Sequence, residues 1–353
     1  MFFVVSFILA CSSPLLLKVW IGEHPTDKNL KNGILILRAV ILDLESLNPQ
    51  DLDLQPLQEC VQDWQFHHHT APDQVDERIA HARIIVTNKV RITQEHIRAA
   101  PELRLICVAA TGTNNVDLDA ASDAGVIVSN VRNYATASVV EHVFSLLLTL
   151  VRQLDNYRQR VKAGDWSRSP NFCLFDESIE ELSGKTLGIV GFGALGRAVA
   201  QLAQAFSMHI QIAQRLNGPP LPERIPFHQL LETSDIVSLH CPLSAQTQGL
   251  IGDPQLRRMK NTAILINTAR GGIVEEQALL RALQQGWIAA AGVDVMAQEP
   301  PEASSPLLQY CSPRLIVTPH VAWASRAARQ RLVTEIVHNI ESFLHGSPRN
   351  TAY

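Results

Sequence analysis

The chain has 353 residues and a formal net charge of −4 at neutral pH, and it contains no long basic run. This length suffices for two domains with hydrophobic cores, and the charge argues against nucleic acid as a partner. The six cysteines are scattered without a CxxC pair, which argues against a disulfide framework or a zinc knuckle and favours a reducing, cytoplasmic location.

The first 37 residues are predicted to be an extension that precedes the folded domains. Residues 1–17 are strongly apolar, but no basic residue comes before Lys18, and Ser12, Ser13 and Pro14 interrupt the apolar run. A secretion signal normally begins with basic residues, and a spanning helix needs about 20 consecutive apolar residues. A start codon assigned too far upstream and a genuine signal or anchor both stay open as interpretations.

From Arg38 onward, apolar strands alternate with helices, which predicts an α/β fold with parallel sheets. The first four strands are predicted at residues 38–42, 83–86, 103–109 and 126–129. A long helix is expected from Ser138 to about Val161, opened by an S-x-x-E capping box of Ser138 and Glu141. Its apolar centre is too short to span a bilayer, so we expect it to lie buried between domains or subunits. Ser138, Glu141 and His142 on this helix are assigned to capping and packing rather than to catalysis.

A second run of alternating elements begins at Lys185. Strands are predicted at residues 185–190, 209–213, 236–240, 263–266, 289–293 and 315–317, with helices at 197–206 and 326–344. Between the first strand and its helix stand Gly191, Gly193 and Gly196 in a GxGxxG arrangement. Such glycines permit a tight turn and a close backbone approach to a pyrophosphate, which binds at the helix N-terminus. This unit is therefore predicted to bind a dinucleotide.

The residue that selects between NAD and NADP normally follows the second strand of such a unit, where an acid binds the adenosine ribose. The strand here ends in Ala213-Gln214-Arg215 and offers no carboxylate. Gln214 could bond a ribose hydroxyl, Arg215 could face a 2′-phosphate, and Arg215 could equally point to solvent. The cofactor is predicted to be NAD or NADP.

Three polar residues each follow an apolar run: Arg270 in NTARGG, Glu299 in VDVMAQEP and His320 in VTPHVAWAS. Ligands of open α/β sheets bind at the carboxyl ends of the strands. An arginine can hold a carboxylate through two hydrogen bonds, and a histidine paired with a glutamate can transfer protons near neutral pH. Together with a dinucleotide, these residues predict hydride transfer to or from a 2-hydroxy or 2-oxo acid.

Several segments in order resemble the D-isomer-specific 2-hydroxyacid dehydrogenase family, over roughly residues 38–345. The matching stretches are ELSGKTLGIVGFGALG, LHCPLSAQTQGLI, LINTARGGIVEEQAL, AAGVDVMAQEP and VTPHVAWAS. Within the family, HVAWAS and DWSRSPNFCLFD resemble the subgroup of glycerate dehydrogenases, also called hydroxypyruvate reductases. The resemblance implies reduction of hydroxypyruvate to D-glycerate. Two alternatives are a reductase of glyoxylate or another 2-oxo acid, and a cofactor-sensing binding protein on the same scaffold.

The resemblance also implies a role for each matching residue. Arg270 would grip the substrate carboxylate and carbonyl oxygen, His320 would be the acid/base, and Glu299 would hydrogen-bond His320 and keep it protonated for reduction. The turn of Thr111 and Gly112 would meet the substrate carboxylate, with Thr111 also near the cofactor. The other cofactor contacts would be Ala194 and Leu195 over the pyrophosphate, Cys241 and Pro242 beside the adenosine, and Thr268, Ala269 and Asp294 on the nicotinamide side.

The fold implied by the resemblance is two Rossmann-like domains with parallel sheets and the active site in the cleft. Residues 38–134 with 321–353 would form the substrate domain, and residues 135–320 the dinucleotide-binding domain. The long apolar helix suggests a homodimer, as in relatives. No metal is expected, because the nicotinamide carries the hydride and the consecutive His67, His68 and His69 cannot readily converge on one ion.

Overall fold

The computed structural model describes residues 30, 31, 34, 35, 37–175 and 178–352. The chain forms two compact units: the described residues up to Arg132 with those from Gln330 onward, and Asn133–Arg329. The unit boundaries thus fall at 132/133 and 329/330, where the sequence analysis placed them at 134/135 and 320/321. The apolar residues 1–17 of the predicted extension lie outside the described residues.

The first unit is built on a parallel sheet of five strands in the order β4-β3-β5-β6-β7. Its strands are β3 (Arg38–Ile41), β4 (Asp63–Phe66), β5 (Ile84–Thr87), β6 (Leu105–Val108) and β7 (Ile127–Ser129), preceded by an antiparallel pair of β1 (Leu30–Lys31) and β2 (Ile34–Leu35). Its helices are α1 (Gln55–Glu59), α2 (Val75–Ile79), α3 (Gln94–Ala99) and α4 (Leu118–Asp123), with 3₁₀ turns at Leu44–Leu47, Pro49–Asp51 and Pro72–Gln74. Strand order reverses between β3 and β5, as in flavodoxin-like sheets.

Strand β4 was not predicted from the sequence. It lies at the edge of the sheet, and its residues Asp63–Phe66 are all half-buried rather than buried. The Asp63 carboxylate accepts a hydrogen bond of 2.8 Å from Arg38 Nε on the neighbouring strand. An edge strand with a polar composition carries no apolar run, which is the feature that identified the other strands.

The second unit is built on a parallel sheet of six strands in the order β13-β12-β11-β10-β8-β9. Its strands are β8 (Thr186–Val190), β9 (His209–Ile212), β10 (Ile236–Leu239), β11 (Ile264–Asn267), β12 (Ala290–Val293) and β13 (Leu315–Val317). Its helices are α5 (Thr136–Val151), α6 (Leu154–Lys162), α7 (Asp165–Arg168), α8 (Ala194–Ala205), α9 (Phe227–Thr233), α10 (Asp253–Arg258), α11 (Glu276–Gln284) and α12 (Pro306–Gln309), with a 3₁₀ turn at Gly271–Ile273. The predicted α/β fold with two parallel sheets is confirmed.

The predicted single helix from Ser138 to about Val161 is wrong, because the chain forms two helices with a 58° bend between them. Gln153 adopts the left-handed conformation with φ of 53°, and α6 starts at the next residue. The sequence there contains neither glycine nor proline, so nothing in it predicted the break. The predicted capping box is also wrong: α5 begins at Thr136, and the Ser138 hydroxyl bonds the Ala322 carbonyl instead.

Helix α5 is buried along most of its length by the second unit itself. It contacts α8, β11 and β12, and its buried apolar residues are Val139, Val140, Val143, Phe144, Leu146, Leu147, Leu150 and Val151. Among the described helices, none alone is long and apolar enough to cross a membrane. The bent pair of α5 and α6 meets those criteria together, by length and composition only.

The last helix, α13 (Arg326–Leu344), matches its predicted bounds and continues into the first unit from Gln330. Within that unit, the fully buried Asn339 donates to the Asn130 carbonyl at 2.8 Å and accepts from Asn350 Nδ2 at 3.1 Å. The amide therefore joins the segment after β7 to the C-terminal segment.

We expect Asn339→Ala to lower the free energy of unfolding by about 2 kcal/mol, because it leaves buried polar partners without hydrogen bonds. Urea unfolding followed by circular dichroism measures this loss. Thr334→Ala, on the exposed side of the same helix, is the matched control and should stay within about 0.5 kcal/mol of the parent. Equal stability of both variants would contradict this assignment.

Candidate functional site

The three glycines after β8 differ in what surrounds them. Gly191 has a φ of 97°, and a Cβ on it would lie 2.5 Å from the backbone of His240 and Cys241. A Cβ on Gly196 would lie 2.2 Å from the Gly191 carbonyl oxygen, so this glycine lets α8 pack against the strand. A Cβ on Gly193 would meet no heavy atom within 4 Å beyond its chain neighbours. Gly191 and Gly196 thus allow the close packing of the turn, and Gly193 leaves the outer side of the turn open for a ligand.

Helix α8 starts at this open side. Gly193 is its N-cap, and the next residues, Ala194 and Leu195, supply backbone N–H groups of the first turn. Such groups have no intrahelical acceptor, and they bind the phosphates of a dinucleotide in folds of this type. The predicted pyrophosphate contacts of Gly193, Ala194 and Leu195 therefore share one helix end.

Two buried polar atoms that follow strands of the second unit lack a partner among the described residues. They are Thr268 Oγ1, after β11, and His240 Nδ1, after β10. Buried polar atoms in folded proteins almost always have a hydrogen-bond partner, so an unpaired one points to a ligand or a water. Thr268, with the open turn at Gly193, fits the dinucleotide that the sequence predicts. Ala269 beside it is buried, and its N–H donates to Asn267 Oδ1.

Gln214, after β9, is engaged with the loop that follows it. Its amide nitrogen donates to the carbonyls of Leu221 and Arg224, both at 3.0 Å, and its oxygen accepts from Leu221 N at 3.0 Å. Both amide hydrogens are thus used inside the loop, and a ribose contact by Gln214 stays a prediction. Arg215 is exposed and forms no ion pair with the described residues, so its contact with a 2′-phosphate also stays a prediction.

Cys241 and Pro242, the predicted adenosine-side residues, follow β10. Cys241 is half-buried, and burial raises the pKa of its thiol above the usual range. The Pro242 carbonyl accepts the Thr247 hydroxyl at 2.6 Å, which fixes the loop after it. Neither observation assigns a ligand to Cys241 or Pro242, so their contact with the adenosine stays a prediction.

Arg270 is held by its neighbours at the end of β11. Asn267 Nδ2 donates to the Arg270 carbonyl at 3.0 Å, and Arg270 Nη1 donates to the Ala269 carbonyl at 2.7 Å. The side chain is exposed and forms no ion pair with the described residues. Burial raises the pKa of the Tyr134 phenol to about 12, and the charge of Arg270 acts in the opposite direction. The guanidinium group is thus available to an anionic ligand.

Glu299 and His320 form a hydrogen-bonded pair, with His320 Nδ1 2.6 Å from Glu299 Oε2. The other carboxylate oxygen of Glu299 accepts from the Met296 N–H at 2.9 Å. His320 Nε2 makes no hydrogen bond within the described chain and is left for a ligand. Arg270, Glu299 and His320 follow the adjacent strands β11, β12 and β13, so the parallel sheet brings them to one edge.

Asp294, predicted to lie on the nicotinamide side, is fully buried in this structure. Its carboxylate accepts the Thr318 hydroxyl at 2.6 Å and the N–H groups of Val321 and Ala322 at 2.9 Å each. The side chain therefore holds the segment that contains His320. A contact between Asp294 and the nicotinamide stays a prediction.

Thr111 and Gly112 belong to the first unit, in the loop after β6. The Thr111 hydroxyl donates to the Val131 carbonyl at 3.0 Å, and Asn130 Nδ2 donates to the Thr111 carbonyl at 2.7 Å. The backbone N–H groups of Thr111 and Gly112 have no acceptor among the described residues. They are therefore free to donate to a carboxylate, which is the role that the resemblance implies.

Asn267, His142 and Thr318 are polar residues of the second unit that sequence reasoning did not place near the site. The Asn267 amide donates to the Arg270 carbonyl and accepts from the Ala269 N–H, so it holds the turn that leads to Arg270. His142 Nε2 lies 3.0 Å from Thr318 Oγ1. The Asn-Thr-Ala-Arg run after a buried strand could have indicated Asn267. His142 lies on α5, 176 residues before Thr318 in the chain, and no local pattern indicated the contact between them.

His67 and His68, in the histidine run of the first unit, have different surroundings. His68 pairs with Glu45 at 3.1 Å, while burial lowers the pKa of His67. Residues 37–175 and 178–352 contain no group of three or more His, Cys, Asp or Glu side chains arranged to hold a metal ion.

Comparison with known proteins gives one family match, and it covers most of the second unit. Residues 144–322 match the model of the D-isomer specific 2-hydroxyacid dehydrogenase, NAD binding domain. Glycerate dehydrogenase of Methylorubrum extorquens is 44% identical over 85% of this chain and 96% of its own length. Hydroxypyruvate reductase of Blautia hydrogenotrophica is 37% identical over 89% of this chain and 99% of its own.

A solved structure extends the likeness to the fold of both units. The acyclic imino acid reductase Bsp5, in complex with NADPH and D-Arg, superposes with a TM-score of 0.75 at 26% identity. The superposition covers 90% of this chain and 100% of that one.

The imidazole of His240, the residue whose backbone lies close to Gly191, provides a test of burial at this position. Burial lowers its pKa to about 4, from about 6.5 in an unfolded chain. Between these values the unfolded state binds a proton that the folded state does not, so stability falls as the pH falls through this window. From pH 7 to pH 5 the wild type should lose about 2 kcal/mol more of its unfolding free energy than His240→Asn. Urea titrations at both pH values measure this, and parallel losses in the two proteins would refute it.

Proposed function

Because this chain belongs to the D-isomer-specific 2-hydroxyacid dehydrogenase family, we propose that it reduces hydroxypyruvate to D-glycerate, with His320 as the acid. The family supplies the reaction class, a nicotinamide-dependent interconversion of 2-oxo and 2-hydroxy acids. The two curated relatives named above support the choice of substrate. The observation that carries the proposal is the His320–Glu299 pair, which leaves Nε2 free at the same sheet edge as the exposed Arg270.

Each of the three residues has a distinct part in the reduction. Arg270 binds the substrate carboxylate and polarises the carbonyl oxygen, since a guanidinium group can form two parallel hydrogen bonds. His320 donates its Nε2 proton to the carbonyl oxygen, and the C=O bond becomes the C–OH of the product. Glu299 stabilises the protonated imidazole before this transfer and fixes its ring through Nδ1. The bound reduced nicotinamide supplies the hydride that C2 receives.

The residues at the strand ends of the second unit would hold this cofactor. The N–H groups at the start of α8 would bind the pyrophosphate, next to the open side of Gly193. Thr268 would donate its buried hydroxyl on the nicotinamide side. No carboxylate stands directly after β9, at residues 213–215, to repel a 2′-phosphate, and Arg215 is exposed there. We therefore propose that both NAD and NADP are accepted.

Thr111 and Gly112 are proposed to bind the substrate carboxylate through backbone N–H groups. Asn130 and Val131 fix the loop through its carbonyl and hydroxyl groups, so the amides are held in place before a ligand binds. This anchoring lowers the entropy lost on binding.

A homodimer is also proposed, through a surface different from the one predicted. Helix α5 uses its apolar residues inside the chain, but a set of large apolar side chains on α6, on α7 and in the following loop is exposed. The set comprises Leu154, Val161, Trp166, Phe172, Phe175 and Ile179, with Phe172 at 88% and Phe175 at 79% exposure. Large apolar side chains that are exposed in one stretch of the chain can form an interaction surface. A second copy of this chain is the proposed occupant, because the resemblance implies a homodimer.

The proposed location is the cytoplasm. The cysteines of the described chain, Cys60, Cys107, Cys173, Cys241 and Cys311, are all free thiols. Free thiols without disulfides fit a reducing compartment.

Kinetics with hydroxypyruvate, glyoxylate, pyruvate and phosphohydroxypyruvate, each with NADH and NADPH, tests the proposed reaction. Hydroxypyruvate should give the highest kcat/KM. Arg270→Ala should lower that value roughly 1,000-fold, because it removes both carboxylate binding and carbonyl polarisation. Arg270→Lys keeps the charge but not the paired geometry, and should recover only part of the loss.

Several results would speak against the proposal. A preference for glyoxylate would make the chain a glyoxylate reductase. Binding of a dinucleotide without turnover of any of the four acids would favour a cofactor-sensing protein. Near-native activity of Arg270→Ala would exclude Arg270 from the site.

The dimer surface is tested by Phe172→Asp combined with Phe175→Asp. Wild type should sediment at twice the chain mass of 39.0 kDa, and the double variant should shift toward the monomer because it places charges in an apolar contact. Leu308→Asp on α12, which is exposed elsewhere, is the matched control and should not change the mass. A wild type that sediments as a monomer would overturn the homodimer.

A further inference from the structure

We propose that His142, on helix α5, is a positioning residue that holds the segment of His320 through Thr318 and Asp294. The inference rests on the proposed function, because it assumes that His320 is the acid/base. Among the residues that the structure describes, His142 forms no hydrogen bond or ion pair with Glu299, His320 or Arg270, and the sequence predicted only a capping or packing role for it.

His320 occupies a backbone conformation that needs support. Its φ is 54°, in the left-handed region, where a residue with a Cβ is strained. Such residues persist when the surrounding structure holds them in place, and they concentrate at functional sites. The groups that fix the segment 318–322 therefore determine where the imidazole of His320 points.

Asp294 provides most of that support, from both sides of His320. Its carboxylate binds Thr318, two residues before His320, and the N–H groups of Val321 and Ala322 just after it. Its own carbonyl accepts the His320 N–H at 2.8 Å. One buried residue thus bonds the segment at four points.

His142 approaches this arrangement from α5. Its Nε2 lies 3.0 Å from Thr318 Oγ1 and 3.4 Å from Asp294 Oδ1. Because the Thr318 hydroxyl donates its single hydrogen to Asp294, it can only accept from His142. The imidazole is therefore the donor, and it carries its hydrogen on Nε2. The result is a chain of donors that runs from His142 through Thr318 to the buried carboxylate.

Ser138 gives α5 a second hold on the same segment. Its hydroxyl donates to the Ala322 carbonyl at 2.6 Å and accepts from the Ser325 N–H at 3.3 Å. Ser138 and His142 are four residues apart and so lie on the same face of the helix. This face contacts the segment at Thr318 and again at Ala322 and Ser325, on both sides of His320. Helix α5 therefore holds the segment that carries the acid/base in place on both sides of His320.

The test compares His142→Ala with His142→Gln, because a glutamine amide can still donate to Thr318. In reduction of hydroxypyruvate, His142→Ala should lower kcat about 10- to 100-fold, with KM and the dissociation constant of NADPH changed less than about threefold. His142→Gln should recover kcat to within about threefold of wild type. His228→Ala, an exposed histidine on α9 of the same unit, is the matched control and should retain native kinetics.

A second readout separates positioning from general support of the fold. In ¹⁵N-histidine spectra, the signals of His320, identified by their loss in His320→Ala, should shift in His142→Ala and return in His142→Gln. Native kcat in His142→Ala would overturn the inference. So would equal losses in both His142 variants, accompanied by lower melting temperatures and unchanged His320 signals. If His320→Ala itself keeps native activity, the proposed function fails, whatever the His142 variants show.

Discussion

The parallel sheet of the second unit is the constraint on which the rest of the candidate site depends. Parallel strands all end at the same edge, so the residues that follow β11, β12 and β13 lie at one edge although they are spread over the 50 positions from Arg270 to His320. Buried strands position only the backbone at that edge. A second set of contacts then holds each residue in place: Asn267 donates to the Arg270 carbonyl, the Met296 N–H donates to the Glu299 carboxylate, and the Asp294 carbonyl accepts the His320 N–H.

This division explains how much could be predicted from the sequence. Buried strands appear as apolar runs, and polar residues just after them mark the edge where ligands bind, so the α/β fold and the grouping of Arg270, Glu299 and His320 followed from local patterns. Contacts between distant segments have no such pattern. The edge strand β4, the break at Gln153 and the contact of His142 with Thr318 each depend on partners that the local sequence does not reveal.

Gln214 illustrates the same limit at the cofactor end. From the sequence, its position after β9 suggested a ribose ligand, because position is the property that the glycine fingerprint predicts. In the structure, its amide closes the loop of residues 215–224 through three hydrogen bonds, and the more polar Arg215 beside it is the exposed side chain. The side chains that the cofactor site presents after β9 thus depend on the conformation of the loop of residues 215–224 as well as on the identity of residue 214.

The spacing of Ser138 and His142 on α5 has a consequence for how this protein could change over evolution. A substitution elsewhere on the helix leaves the spacing intact, but one residue inserted between the two would rotate them apart by about 100°. No change of rotamer could then return both side chains to the segment around His320. Homologous chains that keep the contacts of Ser138 and His142 with this segment should therefore show no length variation between these two positions, even where the loops around them differ in length.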